Sequence, residues 1–135
     1  MKAHLFATCL LGVFALSSCE TANTGGVPSA VNAGQAGAYQ AVQAEVARLT
    51  AQANQNVLLA PWSGPQGGVP PWDHADPAAM PAALQLGIQL QAAEIDVIAK
   101  NPAAPTFENT MAALDDSGRH LSRAQTIFSV MTQNM

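Results

Sequence analysis

The segment Asn56–Asp73, NVLLAPWSGPQGGVPPWD, limits what this chain can fold into more than any other stretch. It places two tryptophans, four prolines and three glycines in a run with neither helical nor strand periodicity. Pro61, Pro65, Pro70 and Pro71 fix φ and remove backbone donors, while Gly64, Gly67 and Gly68 allow turns that a β-carbon forbids. A plain linker would use the same residues without Leu58, Leu59, Trp62, Val69 and Trp72, whose apolar surface is stabilising only where a larger body buries it. The loop therefore implies a scaffold larger than itself, with Trp62 and Trp72 as its anchors.

The first residues read as a secretory signal over positions 1–18: Lys2, an apolar run from Leu5 to Leu16, then small residues before a cleavage point. The run is too short for a permanent membrane span, which needs about 20 apolar residues. Leu16-Ser17-Ser18-Cys19 resembles the bacterial lipobox. That resemblance implies acylation at Cys19, cleavage just before it, and attachment to a membrane of the bacterial cell envelope facing the periplasm. Glu20, where an aspartate would signal retention, favours the outer membrane by resemblance to lipoprotein sorting. The alternative is an ordinary secreted protein with a chance cysteine. Cys9 leaves with the signal, so the one remaining thiol supports no disulfide framework.

Loss of the signal removes Lys2 and leaves four lysines and arginines against nine acidic residues. Nothing forms the basic stripe that neutralises phosphates, which argues against a nucleic-acid partner and against electrostatic binding to an anionic membrane. Residues 19–37, rich in Thr, Asn, Gly, Ala and Ser, bury little and read as a flexible tether. Residues 38–135 read as the folded part.

Within it the pattern is all-α, with about three helices. Tyr39, Val42, Val46 and Leu49 recur at spacings of three and four and predict a first helix from Ala38 to about Ala53. Asp76-Pro77 suits an N-cap followed by proline at the start of a second helix, Ala79–Lys100, whose apolar face reads as Leu84, Ile88, Ala92, Ile95 and Ala99. Thr106 suits an N-cap with Glu108 in the first turn of a third helix. Its stripe is Phe107, Met111, Leu114, Leu121, Ala124, Phe128 and Met131, and Gly118 leaves the phase unbroken, so one long helix is expected. That stripe is still running at Met135, so a truncated chain is expected.

Three blocks in order, LLAPWSGPQGGVPPWD, AAEIDVIAKNPAAPTFENTMAAL and SGRHLSRAQTIF, resemble the start of the thimet-oligopeptidase-like zinc metallopeptidases, in the peptidyl-dipeptidase Dcp and oligopeptidase A branch. The residues matching the family pattern are Pro61, Trp62, Gly67, Gly68, Pro70, Pro71 and Asp73 in the first block. In the later blocks they are Thr106, Phe107, Asn109, Thr110, Leu114 and Gly118. Their roles read as structural: Phe107 seats the helix start, and Asn109 or Thr110 bonds locally to the backbone. The resemblance implies a helical segment of a larger, mostly α-helical, two-lobed enzyme whose channel admits short peptides. It also implies zinc for the full-length protein, held by a His-Glu-x-x-His helix and a downstream glutamate, with the remainder of the peptidase chain as the partner of this region.

That zinc motif is absent from this sequence. The histidines are His4, His74 and His120, none followed by the required glutamate and second histidine, so no catalytic residue and no metal ligand is assigned here. His74 near Asp73 and Asp76 reads as a solvated loop, and Asp115-Asp116 as a solvated helix face, because adjacent helical positions do not face each other. Two functional expectations follow. The first is the N-terminal part of a lipid-anchored, peptide-hydrolysing zinc metallopeptidase, inactive alone. The second is a complete small helical envelope lipoprotein acting as a protein-binding module.

Overall fold

Three long helices and one short one account for the regular structure in the computed structural model, which describes residues 29–134. They are α1 (Ser29–Gln55), α2 (Met80–Ala99), the four-residue α3 (Ala113–Asp116) and α4 (Arg119–Gln133). Among the described residues the only strand-like pairing is an isolated bridge between Ser63 and Val69, so the architecture is all-α. The proposed signal, and with it Cys19, lies outside the described residues.

Helix α1 begins nine residues earlier than Ala38. The alanines and glutamine at positions 30, 33, 35 and 36 are good helix formers, and they outweigh the cost of about 1 kcal/mol each for Gly34 and Gly37. Further along, the expected stripe does face inward: Tyr39, Val42 and Val46 are half-buried, and Leu49 and Ala53 are buried.

Helix α2 starts as the Asp76-Pro77 signal predicts. The Asp76 carboxylate accepts from the Ala78 N–H at 2.9 Å, and a short 3-10 turn, Pro77–Ala79, leads into the helix. The chain leaves α2 at Asn101, whose side-chain oxygen accepts from the Ala103 N–H at 3.0 Å. Helices α1 and α2 run in opposite directions. Leu49 and Ala53 near the end of α1 share a cluster with Met80 and Ala83 at the start of α2, while Gln35 and Ala38 lie opposite Ala99–Pro102. Helix α4 returns along α2, with Gly118 over Gln91, Leu121 on Gly87, and Ile127 in the same cluster as Met80. Helix α2 is thus the central element of an up-down-up arrangement.

The face of α2 that makes these contacts differs from the expected one. Met80, Ala83, Gly87 and Leu90 are buried, whereas Ala92 and Ala99 are exposed, and Ile88 and Ile95 are 51% and 42% exposed. The reason is steric. A β-carbon at residue 87 would lie 3.1 Å from the Leu121 Cα, so glycine at this position lets α4 lie closely against α2.

The single long third helix is also corrected. Residues 107–112 form a π-helical turn that runs into α3, and Ser117 then becomes extended, with φ −69° and ψ 150°. Gly118 follows in the left-handed region at φ 75° before α4 begins. The stripe breaks with the backbone. Phe107, Met111 and Leu114 point outward, while Leu121, Ala124 and Ile127 are buried. The Gly118 N–H donates to Glu94 Oε2 at 2.7 Å, so a carboxylate from α2 sits at the start of α4, where the helix dipole favours negative charge.

Gly118→Ala is expected to lower stability by about 1–2 kcal/mol, the cost of a left-handed residue with a β-carbon. Gly87→Ala is expected to cost about 1–3 kcal/mol by overpacking against Leu121. Urea unfolding midpoints measure both, and a neutral Gly118→Ala would mean that the bend is not needed.

Candidate docking surface

The loop after α1 is held in its first half. Leu58 and Leu59 are fully buried in the central cluster, and Asn56 starts the turn by accepting from the Leu58 N–H at 3.0 Å through its side chain. Arg123 on α4 donates to the Leu59 carbonyl at 3.1 Å. Pro61 is exposed, while Trp62 packs against the cluster with its indole N–H buried and unpartnered. The Val69 N–H donates to the Ser63 carbonyl at 3.1 Å and closes a tight loop through Gly64, Gln66, Gly67 and Gly68, all at positive φ. Gly68 is required sterically as well: a β-carbon there would lie 2.6 Å from the Trp62 carbonyl. Pro70 and Pro71 are half-buried, and Asp73 is exposed within the short 3-10 turn Trp72–His74. Trp72, expected as a second anchor, is instead exposed.

The Thr106-Phe107-Glu108-Asn109-Thr110 motif is a reciprocal cap. The Asn109 N–H donates to Thr106 Oγ1 at 3.1 Å, and the Thr106 N–H donates to Asn109 Oδ1 at 2.8 Å. Asn109 Nδ2 also donates to the Ala104 carbonyl at 2.9 Å, and the Thr110 hydroxyl to Asn109 Oδ1 at 2.9 Å. These bonds satisfy amides that the helix start leaves free. Phe107 does not seat the turn; it is 70% exposed.

The cap therefore presents an apolar ridge to solvent. Phe107, Met111 (56% exposed) and Leu114 (48% exposed) all face solvent along this short segment. Thr110, Ala113 and Ser117 are half-buried. Between this segment and α1 and α2 lies a shallow cavity of about 300 Å³ lined by Val46, Glu94, Val97, Ile98, Ala113, Asp116 and Ser117. Ile88, Ile95, Phe128 and Val130 are further exposed apolar side chains. The ridge was legible as periodicity, but its outward direction was not.

No group of three or more His, Cys, Asp or Glu residues capable of holding a metal ion occurs among the described residues. His74 is exposed in the loop beside Asp73, while His120 lies at the meeting of α1 and α4. Zinc does not fit these residues. Nor, among the described residues, is any helix long and apolar enough to cross a membrane.

His120 Nε2–H donates to Asn54 Oδ1 at 3.1 Å and ties α4 to α1. Its pKa is held below the ordinary histidine value mainly by burial and secondarily by the Arg123 charge, with Glu94 pulling the other way. Asp115 and Asp116 are exposed, and Asp116 pairs with Arg119.

Over 50 residues, 37% of its length, the chain is 44% identical to a dipeptidyl carboxypeptidase of Salmonella typhimurium (strain LT2) and 46% identical to a dipeptidyl carboxypeptidase of Escherichia coli (strain K12). The matched stretch spans 7% of the length of each relative. No family model matches the chain, and no solved structure matches it. The similarity is consistent with a distant relationship to this peptidase family.

Because His120 is held neutral in the fold, its contribution to stability is complete above the ordinary value of 6.5 and is lost as pH falls through the lower folded value. The melting temperature is expected to decline as pH falls below 6.5, and His120→Gln to flatten that decline. Thermal melts across this range check it.

Proposed function

We propose that this chain supplies the N-terminal helical wall of a two-lobed, mostly α-helical zinc metallopeptidase of the dipeptidyl carboxypeptidase type, attached to the bacterial envelope through lipid on Cys19 and facing the periplasm. The observation that carries this reading is the 44–46% identity to two dipeptidyl carboxypeptidases over 50 residues. Zinc and the residues that activate water belong to the rest of the enzyme, because His74, His120 and the acidic residues described here assemble no metal site. The role left to these helices is access: they limit the substrate to short, extended peptides. The outer membrane is the proposed site of attachment, on the strength of Glu20 after Cys19.

One observation favours the second reading, a small envelope lipoprotein that binds another protein. It is the exposure of Phe107, Met111 and Leu114 along one short segment. The ridge serves the peptidase reading equally, as the surface on which the catalytic portion rests.

The chain alone, supplied with zinc, is expected to release no C-terminal dipeptide from a short peptide, whereas a longer polypeptide carrying His-Glu-x-x-His is expected to do so in a chelator-sensitive manner. Chelator-sensitive cleavage by the chain alone would overturn the division of labour. Inactivity of the longer polypeptide would overturn the peptidase reading itself. Palmitate labelling in a bacterial host is expected to disappear in Cys19→Ala, and labelling that persists would refute the anchor.

A further inference from the structure

Two side chains one turn apart on α4 fasten adjoining stretches of chain. His120 bonds the Asn54 side chain at 3.1 Å in the last turn of α1, and the Arg123 guanidinium donates to the Leu59 carbonyl at 3.1 Å in the loop that follows. The second link is a single hydrogen bond to a neutral acceptor. Both His120 and Arg123 are half-buried. A neutral ring at His120 tolerates the Arg123 charge beside it, whereas an imidazolium is repelled by it. The other charged group acting on His120 is Glu94 on α2, whose effect is smaller than that of Arg123, and α1 faces the ring with the uncharged Asn54.

Beyond Leu59 the loop is closed at a cost. The Trp62 indole N–H is buried without a partner, and Gln66 is held at φ 57°, a region that residues with a β-carbon seldom occupy. Opening returns the indole N–H to water and frees Gln66. The bond from the Val69 N–H to the Ser63 carbonyl lies within the loop and does not fasten it to the helices.

We propose that this junction is an acid-operated latch: protonation of His120 drives Arg123 off the Leu59 carbonyl, and the loop from Ala60 to Val69 lifts from the body while the helices stay packed. The imidazolium keeps its bond to Asn54, because both nitrogens of the charged ring donate. The link that yields is therefore Arg123, which turns to solvent. Leu58 and Leu59, fully buried, keep the root of the loop in place, and Trp62 is the side chain that leaves. Burial and the Arg123 charge keep His120 neutral and the latch closed at neutral pH; in the open state the ring binds its proton more readily, so opening follows acidification through a pH below 6.5. The latch does not rest on the peptidase reading, and its failure leaves the cleavage experiment untouched.

The test uses the purified chain carrying Trp72→Phe, which makes Trp62 the sole tryptophan. On titration from about pH 8 to about pH 5, Trp62 emission is expected to shift to the red and acrylamide quenching to rise. Both changes are expected in one reversible step with its midpoint below 6.5, with the far-ultraviolet circular dichroism unchanged. His120→Gln still donates to Asn54 but does not titrate, and is expected to remove the step and keep the short-wavelength emission throughout. Arg123→Gln is expected to remove the step as well, because nothing then repels the imidazolium; burial of a histidine alone would leave the step in that variant. His74→Gln, in the exposed turn that ends the loop, is expected to leave the step intact. Emission unchanged across the range, a step that survives His120→Gln or Arg123→Gln, a step removed by His74→Gln, or a shift that coincides with loss of helical signal would each overturn the proposal.

Discussion

The close approach of α4 to α2 at Gly87 is the contact from which the remaining arrangement follows. With no side chain at that position, Leu121 lies directly against the α2 backbone, and Ala124 and Ile127 fall into line with Ala83 and Met80. Helix α1 packs on the same helix, its Leu49 and Ala53 sharing a cluster with Met80, Ala83 and Leu90. The outward position of Ile88 and Ile95 is the complement of that packing.

The bend at Ser117-Gly118 follows from the same contact. The left-handed Gly118 reorients the chain, and Glu94 meets the freed amide at the start of α4. The buried half of the stripe then lies on the core, while the other half, Phe107, Met111 and Leu114, is left in solvent. The feature with most bearing on function is therefore a by-product of a backbone reversal, and it is held in place by the mutual cap of Thr106 and Asn109.

The loop Asn56–Asp73 joins these elements without periodic structure of its own. Its hold on the body comes from Leu58, Leu59 and Trp62 on the inside and from Arg123 bonding the Leu59 carbonyl. Prolines and positive-φ glycines shape the exposed remainder, where the Gly68 backbone lies against that of Trp62. His120 and Arg123, one turn apart on α4, thus bind the end of α1 and the loop that follows it. Acidification acts on this junction because His120 resists protonation there.

Local chemistry was readable from the residues alone. The caps at Asp76 and Thr106, the limits of α2 to within a residue and the inward stripe of α1 depend on neighbours within a few positions, where spacing and side-chain type carry the information. The family resemblance came from ordered blocks and met a partial match over 50 residues. Tertiary structure alone decided the rest. Which face of the apolar α2 is buried depends on how closely α4 can approach, and that is a property of two helices. Whether Gly118 continues a helix or breaks it depends on Gln91 and Glu94, more than twenty positions away. The direction of the Phe107 ridge depends in turn on that break, because periodicity specifies that side chains share a face and is silent on which way the face points.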